Sequence, residues 1–209
     1  PMEMTRHTVS VPMPDGAEPV ERTLYSTIYG PLVAMPQVGL AWTDTMAFSM
    51  RDANSANQRA LGTWVRIAQA TNVDDVRKAV TETLGIPWVN TIVADRYGNA
   101  LHADVTSVPN VSAEKVAECA TPFSGLVASR LTLLDGARSE CNWTVTKGTP
   151  VPGLLPASEQ AIQQRRDSVT NSNDSYWLSN ASAPNKQLSP ILGAWGEPVT
   201  LRTRANFQE

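Results

Sequence analysis

The sequence predicts an α+β fold in which an antiparallel sheet packs against helices, and three observations carry that prediction. Two consecutive stretches, residues 54–70 and the run that follows Asn72, repeat apolar residues at helical spacing. A hairpin signature comes next, with β-forming residues on both sides of Arg96-Tyr97-Gly98-Asn99. Strand and helix signals are mixed along the chain without the regular βαβ alternation of a parallel sheet.

Residues 1–20 carry prolines at positions 1, 12, 14 and 19 and are expected to be irregular, with a short edge strand over 5–11. Residues 21–33 read as extended, because Thr23-Leu24-Tyr25-Ser26-Thr27-Ile28-Tyr29 is rich in β-formers and Gly30-Pro31 ends it. A further extended stretch is expected over 40–50. The helix over 54–70 places Ala60, Leu61, Trp64, Ile67 and Ala68 on one face, with Asp52 or Ser55 as its cap. Trp64 on that face reads as a core residue. Asn72 suits the cap of the second helix, and Asp74 and Asp75 suit the positive end of its dipole. Val73, Val76, Val80 and Leu84 form its inner face, and Gly85 ends it.

The hairpin pairs residues 88–95 with 100–105, and its partial alternation implies strands covered on at least one face. A short helix is expected over 112–119, a loop-rich region over 120–157 and a weak helix over 159–166. Residues 175–178 read as the start of a strand, 183–197 as loop, and 200–204 as a short exposed or site-facing segment. Residues 1–209 are taken as a single piece.

With 209 residues and 42% hydrophobic content the chain can bury a core. A net charge of −3 with scattered basic residues gives no patch for nucleic acid or lipid headgroups. No apolar run approaches membrane-spanning length. Cys119 and Cys141 lack the spacing of zinc or redox motifs and lie in polar, turn-rich sequence. A disulfide, and with it an oxidising compartment, is the expectation; two free buried thiols are the alternative.

Several chemistries find no support. A Ser/His/Asp triad would have to use His7, near the proline-rich start, or His102, inside a predicted strand. Pro1 does not read as a strand-borne catalytic amine. Asp44, Asp52, Asp95 and Asp104 show no metal-ligand spacing, and neither phosphate-loop pattern occurs. One polar stretch stands out, Thr170-Asn171-Ser172-Asn173-Asp174-Ser175. Asn and Asp at such density suit a turn. An Asn amide is also a neutral donor able to stabilise an oxyanion, and spacing alone leaves both readings open.

Six segments taken together resemble the penicillin acylase family of N-terminal-nucleophile hydrolases. They are Thr27-Ile28-Tyr29-Gly30-Pro31, Arg51-Asp52-Ala53-Asn54, Gly85-Ile86-Pro87-Trp88-Val89-Asn90-Thr91, Ala94-Asp95 with Gly98-Asn99-Ala100, Asn171-Ser172-Asn173-Asp174-Ser175, and Leu201-Arg202-Thr203-Arg204. They run in the family's order, and the look is nearest to the acyl-homoserine-lactone and aculeacin-type acylases. The resemblance implies part of an αββα fold, with this chain as an internal stretch of the β subunit.

The family's nucleophile is a serine at the head of that subunit, with its own α-amine as base. Asn173 matches the oxyanion Asn, Arg202 the arginine that orients it, and Trp64 and Trp88 the wall of the acyl pocket. The substrate implied is an acyl amide: a β-lactam, a homoserine lactone or a lipopeptide. The partners implied are the remaining α and β segments of the enzyme, in the periplasm or outside a bacterial cell. The chain starts with Pro1 rather than serine and is expected to be inactive by itself. The ligands of the family's structural calcium are expected to fall outside it, so no metal or cofactor is assigned. A non-catalytic scaffold that kept the acylase shell is the alternative, and an autoprocessing junction upstream of Pro1 would decide against it.

Overall fold

The computed structural model describes residues 2–128 and 131–207. Along the chain these form strands β1 (Glu3–Met13), β2 (Gly16–Thr27), β3 (Gly30–Val33) and β4 (Phe48–Ser49), then helices α1 (Arg59–Ala68) and α2 (Val73–Thr83). Strands β5 (Thr91–Ala94) and β6 (Ala100–Asp104) follow, then the short helices α3 (Ala113–Glu118) and α4 (Ser124–Val127), strand β7 (Ala161–Arg165) and helix α5 (Leu201–Asn206). Mixed helices and antiparallel strands agree with the predicted class. Among the described residues no helix is long and apolar enough to cross a membrane. Pro1, weighed above as an amine, lies outside the described residues.

The chain divides into two compact units. The first comprises Pro1–Asp52 with Thr121–Leu133, and the second Ala53–Ala120 with Leu134–Glu209.

In the first unit the strand order is β1-β2-β3-β4, all antiparallel. The expectation of an irregular 1–20 is corrected: β1 and β2 pair from Glu3↔Ser26 to Met13↔Gly16 as a long ribbon turning at Pro14-Asp15. The prolines are tolerated because the ribbon is two strands wide there. Pro12 and Pro19 sit on edges, where a missing N–H breaks no further ladder. Residues 40–50 are mostly irregular, with only the short β4 and an isolated Met35↔Leu40 bridge. A small core gathers Leu40, Phe48 and Val127 with Val33, Met35, Met46, Phe123 and Leu133. Phe48 meets Phe123 edge to face, with ring centroids 5.7 Å apart.

The second unit packs α2 on the sheet β5-β6-β7. Its core is Val73, Val76, Val80, Leu84, Ile86, Leu101, Ala103, Val105 and Leu154. Asn72 caps α2 by accepting from the Asp75 amide at 3.0 Å. The helix ends on Leu84 in the left-handed region, φ 44°, one residue before the expected Gly85. Gly85 is small for another reason: a Cβ there would lie 2.1 Å from Thr63 Oγ1 and 2.9 Å from the Arg59 backbone of α1.

That close approach also turns α1. Thr63, fully buried, shares a hydrogen bond with Thr83 Oγ1 at 2.7 Å, and Arg59 donates to the Thr83 and Leu84 carbonyls. Polar groups therefore dock α1, and the expected inner face is corrected. Ile67 reaches the core, whereas Leu61 is 75% exposed and Trp64 47%. Residues 54–57 form a turn instead of helix, because Asn54 and Asn57 donate to the Pro87 and Gly85 carbonyls.

In the hairpin, Asp95 Oδ1 accepts from the Tyr97 and Asn99 amides. The Asn99 side-chain amide, which donates to both Asp95 oxygens, and then these backbone bonds hold the Asp95 carboxyl down at about 2. The weak helix expected over 159–166 is corrected to strand β7, in register with β6 from Ala100↔Arg165 to Asp104↔Ala161. The open edge of β6 is a non-local partner that overrides a weak local preference. Between 120 and 156 the described residues hold helical turns at Ser124–Val127 and Ser139–Cys141. Cys119, at the end of α3, is bonded to Cys141, with the two Cα atoms 5.6 Å apart.

Candidate functional site

The back face of the three-stranded sheet carries several polar side chains. Along β6, Leu101 and Ala103 face the core, so His102 and Asp104 face the other way. His102 is fully buried, and its Nε2 bonds Asn90 Oδ1 at 2.9 Å. Burial pulls the His102 pKa down to about 4 and pushes the Asp104 carboxyl up to about 6. On β7, Gln163 accepts from Ser179 Oγ at 2.7 Å and donates to the Ala183 carbonyl at 2.6 Å. These bonds fasten the segment after the polar stretch to the sheet.

That segment is not the strand expected over 175–178. It is a 3-10 turn, Tyr176–Leu178, anchored by buried Tyr176. The Tyr176 hydroxyl accepts from the Leu188 amide at 2.8 Å, and Asn185 donates to the Tyr176 carbonyl at 2.8 Å. The turn fixes one end of the polar stretch.

Within the stretch the two asparagines have different surroundings. Asn171 closes the turn: its Oδ1 accepts from the Asn173 amide at 2.8 Å and its Nδ2 donates to the Asp174 carbonyl at 3.0 Å. Asn173 sits at the apex, exposed, with φ at 62°. Asparagine tolerates that left-handed backbone better than most side chains.

Residues 200–204, expected as a short exposed or site-facing segment, are the N-cap and first residues of α5. Thr200 is its N-cap, accepting from the Thr203 amide at 3.3 Å. The helix is laid along the polar stretch. Arg202 Nη2 donates to Asn173 Oδ1 at 3.0 Å and to the Ser172 carbonyl. Asn206 donates to Thr170 Oγ1 at 3.1 Å and to Ser172 Oγ. Asp174 Oδ2 accepts from the Thr200 amide and hydroxyl, both at 2.9 Å, and from Thr203 Oγ1. Those bonds, Thr203 first, hold the Asp174 carboxyl below the usual carboxylate range.

The chemical consequence lies in the Asn173 amide. A guanidinium only donates, so Arg202 must face the oxygen of Asn173, and the amide cannot be the other way round. Nδ2 is then directed away from Arg202. Among the described residues it has no acceptor. The group presented is a neutral N–H₂ donor held by a cation on its far side.

The structure thus brings Asn173 and Arg202 together and places Trp64 and Trp88 elsewhere in the same unit. Trp88 stands in the loop before β5 and is 78% exposed. The reading of Trp64 as plain core is corrected by its half-exposed ring. Neither tryptophan is in an aromatic pair among the described residues. A shallow depression of 720 Å³ is lined by Asn99, Gln164, Arg165, Arg166 and Asp167, none of which belongs to the predicted site. Among the described residues no group of three His, Cys, Asp or Glu side chains is placed to hold a metal. Asp174, Thr200, Thr203 and Asn206 were missed from sequence. Threonine before Leu201 was the available signal, as a helix cap.

Comparison with known proteins places these features in a lineage. The penicillin amidase family profile matches residues 1–206. The chain is 42% identical over 198 residues to the acyl-homoserine lactone acylase PvdQ of Pseudomonas syringae pv. tomato, covering 94% of this chain and 25% of that protein. It is 38% identical over 211 residues to the aculeacin-A acylase of Actinoplanes utahensis, covering 100% of this chain and 26% of that one. A thermostable penicillin G acylase from Alcaligenes faecalis shares the fold, with a TM-score of 0.58 at 17% identity over 93% of this chain and 29% of that one. The chain therefore spans about a quarter of the length of the curated relatives it matches.

Proposed function

The chain belongs to the penicillin amidase family, and from that premise we propose that it is the part of an acyl-amide hydrolase that supplies one oxyanion donor and part of the acyl-binding surface. The observation that carries the reading is the Asn173 amide, its oxygen taken by Arg202 at 3.0 Å and its nitrogen left to donate outward. A donor preset in this way needs no reorganisation when charge develops on the substrate carbonyl oxygen. Asn suits the task because it has no charge to desolvate and no proton to lose. Aspartate there would set a second negative charge against the oxyanion.

The rest of the reaction belongs to other segments of the enzyme. An N-terminal serine attacks the carbonyl, with its α-amine as base, and a backbone N–H completes the oxyanion hole. The substrate class is an N-acylated amine, such as an acyl-homoserine lactone, a lipopeptide or an acylated β-lactam; two relatives are named as an acyl-homoserine lactone acylase and an aculeacin-A acylase. Trp64 and Trp88 line the acyl chain, their exposed rings being surface for that chain to cover. The Cys119–Cys141 bond suits an oxidising compartment, periplasmic or secreted.

The test is Asn173→Ala in the complete acylase beside Asn171→Ala. Losing an oxyanion donor lowers kcat by roughly 10²–10³ with little change in KM. Asn171→Ala is expected to lower thermal stability and spare kcat. A folded Asn173→Ala enzyme with near-parental kcat overturns the reading, and an inactive Asn171 variant beside an active Asn173 variant reverses the assignment.

A further inference from the structure

Building on that reading, we propose that Asp174 is a positioning residue for the oxyanion donor, acting through helix α5 and Arg202 rather than on the substrate. The inference starts from an asymmetry in the carboxylate. One oxygen, Oδ2, takes three donors, all from the first turn of α5 or its cap: the Thr200 amide, the Thr200 hydroxyl and the Thr203 hydroxyl. Arg202 lies between those two threonines in sequence, and its guanidinium is what holds the Asn173 oxygen.

Asp174 is also the residue after Asn173, and its carbonyl closes the turn by accepting from Asn171. The backbone that carries the donor and the helix that orients the donor are therefore joined through one side chain. A six-residue helix has little stability of its own, so its place depends on such tethers. Asn206 supplies a second tether at the far end, to Thr170 and Ser172. Without the first, α5 can pivot about the second, and the end carrying Arg202 is the end that moves.

The consequence concerns the Asn173 amide. If Arg202 withdraws, nothing prevents the amide from rotating and turning its oxygen toward the substrate carbonyl oxygen. Acceptor would then face developing negative charge. Ground-state binding is little affected, because the acyl group is held elsewhere. The loss falls on kcat, and small misplacements of catalytic groups cost up to about 10²-fold.

In the complete acylase, Asp174→Ala is expected to lower kcat by about 10- to 100-fold with KM within roughly twofold. Asp174→Asn, which keeps one acceptor oxygen, is expected to recover part of that loss. The decisive readout is a double-mutant cycle with Arg202→Ala. Since Asp174 acts through Arg202, Asp174→Ala added to Arg202→Ala should cost no more than about twofold further. Multiplicative losses overturn the proposal, as does parental kcat in a folded Asp174→Ala enzyme. Should Asp174→Ala fail to fold, Thr203→Val removes one donor while keeping the side chain's shape, and unchanged kcat there overturns it equally. An inactive Asn173→Ala beside a normal Asp174→Ala sinks this inference and leaves the oxyanion reading standing. An active Asn173→Ala sinks both.

Discussion

Replacing Asp104 by Asn is expected to stabilise the protein above pH 6, and the size follows from where β6 places the carboxyl. Asp104 faces the polar side of the sheet and accepts no hydrogen bond among the described residues, and burial raises its pKa from 3.8 to about 6. The folded state thus keeps a proton that the unfolded chain releases. Stability from this group is intact below the unfolded pKa near 3.8, falls as pH rises toward about 6, and stays lowered above it. Raising the carboxyl from 3.8 to about 6 corresponds to roughly 3 kcal/mol at most, and residual solvent contact reduces it to about 1–3 kcal/mol. Asn has nearly the same shape and no charge, so it removes the penalty.

His102 on the same strand face has the opposite sign. Its folded pKa of about 4 lies below the ordinary 6.5, so its contribution is present above 6.5 and is lost as pH falls toward 4. In the native protein the two slopes offset between about pH 4 and 6. In Asp104→Asn the histidine slope should stand alone, with stability climbing as pH rises through that window. Urea unfolding of the two proteins at half-unit steps from pH 3.5 to 8 reads the difference directly. Equal pH profiles, or a variant less stable at pH 7, would refute the reasoning.

Two other outcomes are expected. Trp88→Ala in the complete acylase should shift preference toward longer or bulkier acyl groups by about 1–3 kcal/mol in relative kcat/KM; an unchanged chain-length profile in the folded variant removes Trp88 from the acyl surface. The Cys119–Cys141 bond closes a loop with a sequence separation of 22 and should contribute about 3 kcal/mol. Alkylation of native protein without reductant should leave its mass unchanged, and two adducts would show free thiols.

Much of the second unit was legible because its signals are local. Asn72, Asp74 and Asp75 announce the start of α2 through groups within one turn of each other. Asp95 and Gly98 announce the hairpin turn in the same way. The β1–β2 ribbon was misread because prolines count against a strand only where both edges must pair, and edge status is a tertiary fact. β7 was misread because its partner is some sixty residues away in sequence. The face of α1 was misread because helical periodicity reports where apolar residues gather. It does not report which neighbour they meet, and here a threonine pair and Gly85 took the inner side.

The same division runs through the candidate site. By itself the sequence determined that 170–175 is a polar turn, that two cysteines stand in sequence suited to pairing, and that six ordered segments mark an acylase. The resemblance pointed to Asn173 as the donor; that the Asn171 side chain closes the turn while Asn173 stands exposed at its apex was decided only by the fold. That choice depends on α5, whose first residue lies 28 positions after Asn173 and whose guanidinium selects one face of one amide. A side chain's neighbours along the chain set its backbone preference. Its hydrogen-bond direction is set by whatever donor the tertiary structure places against it.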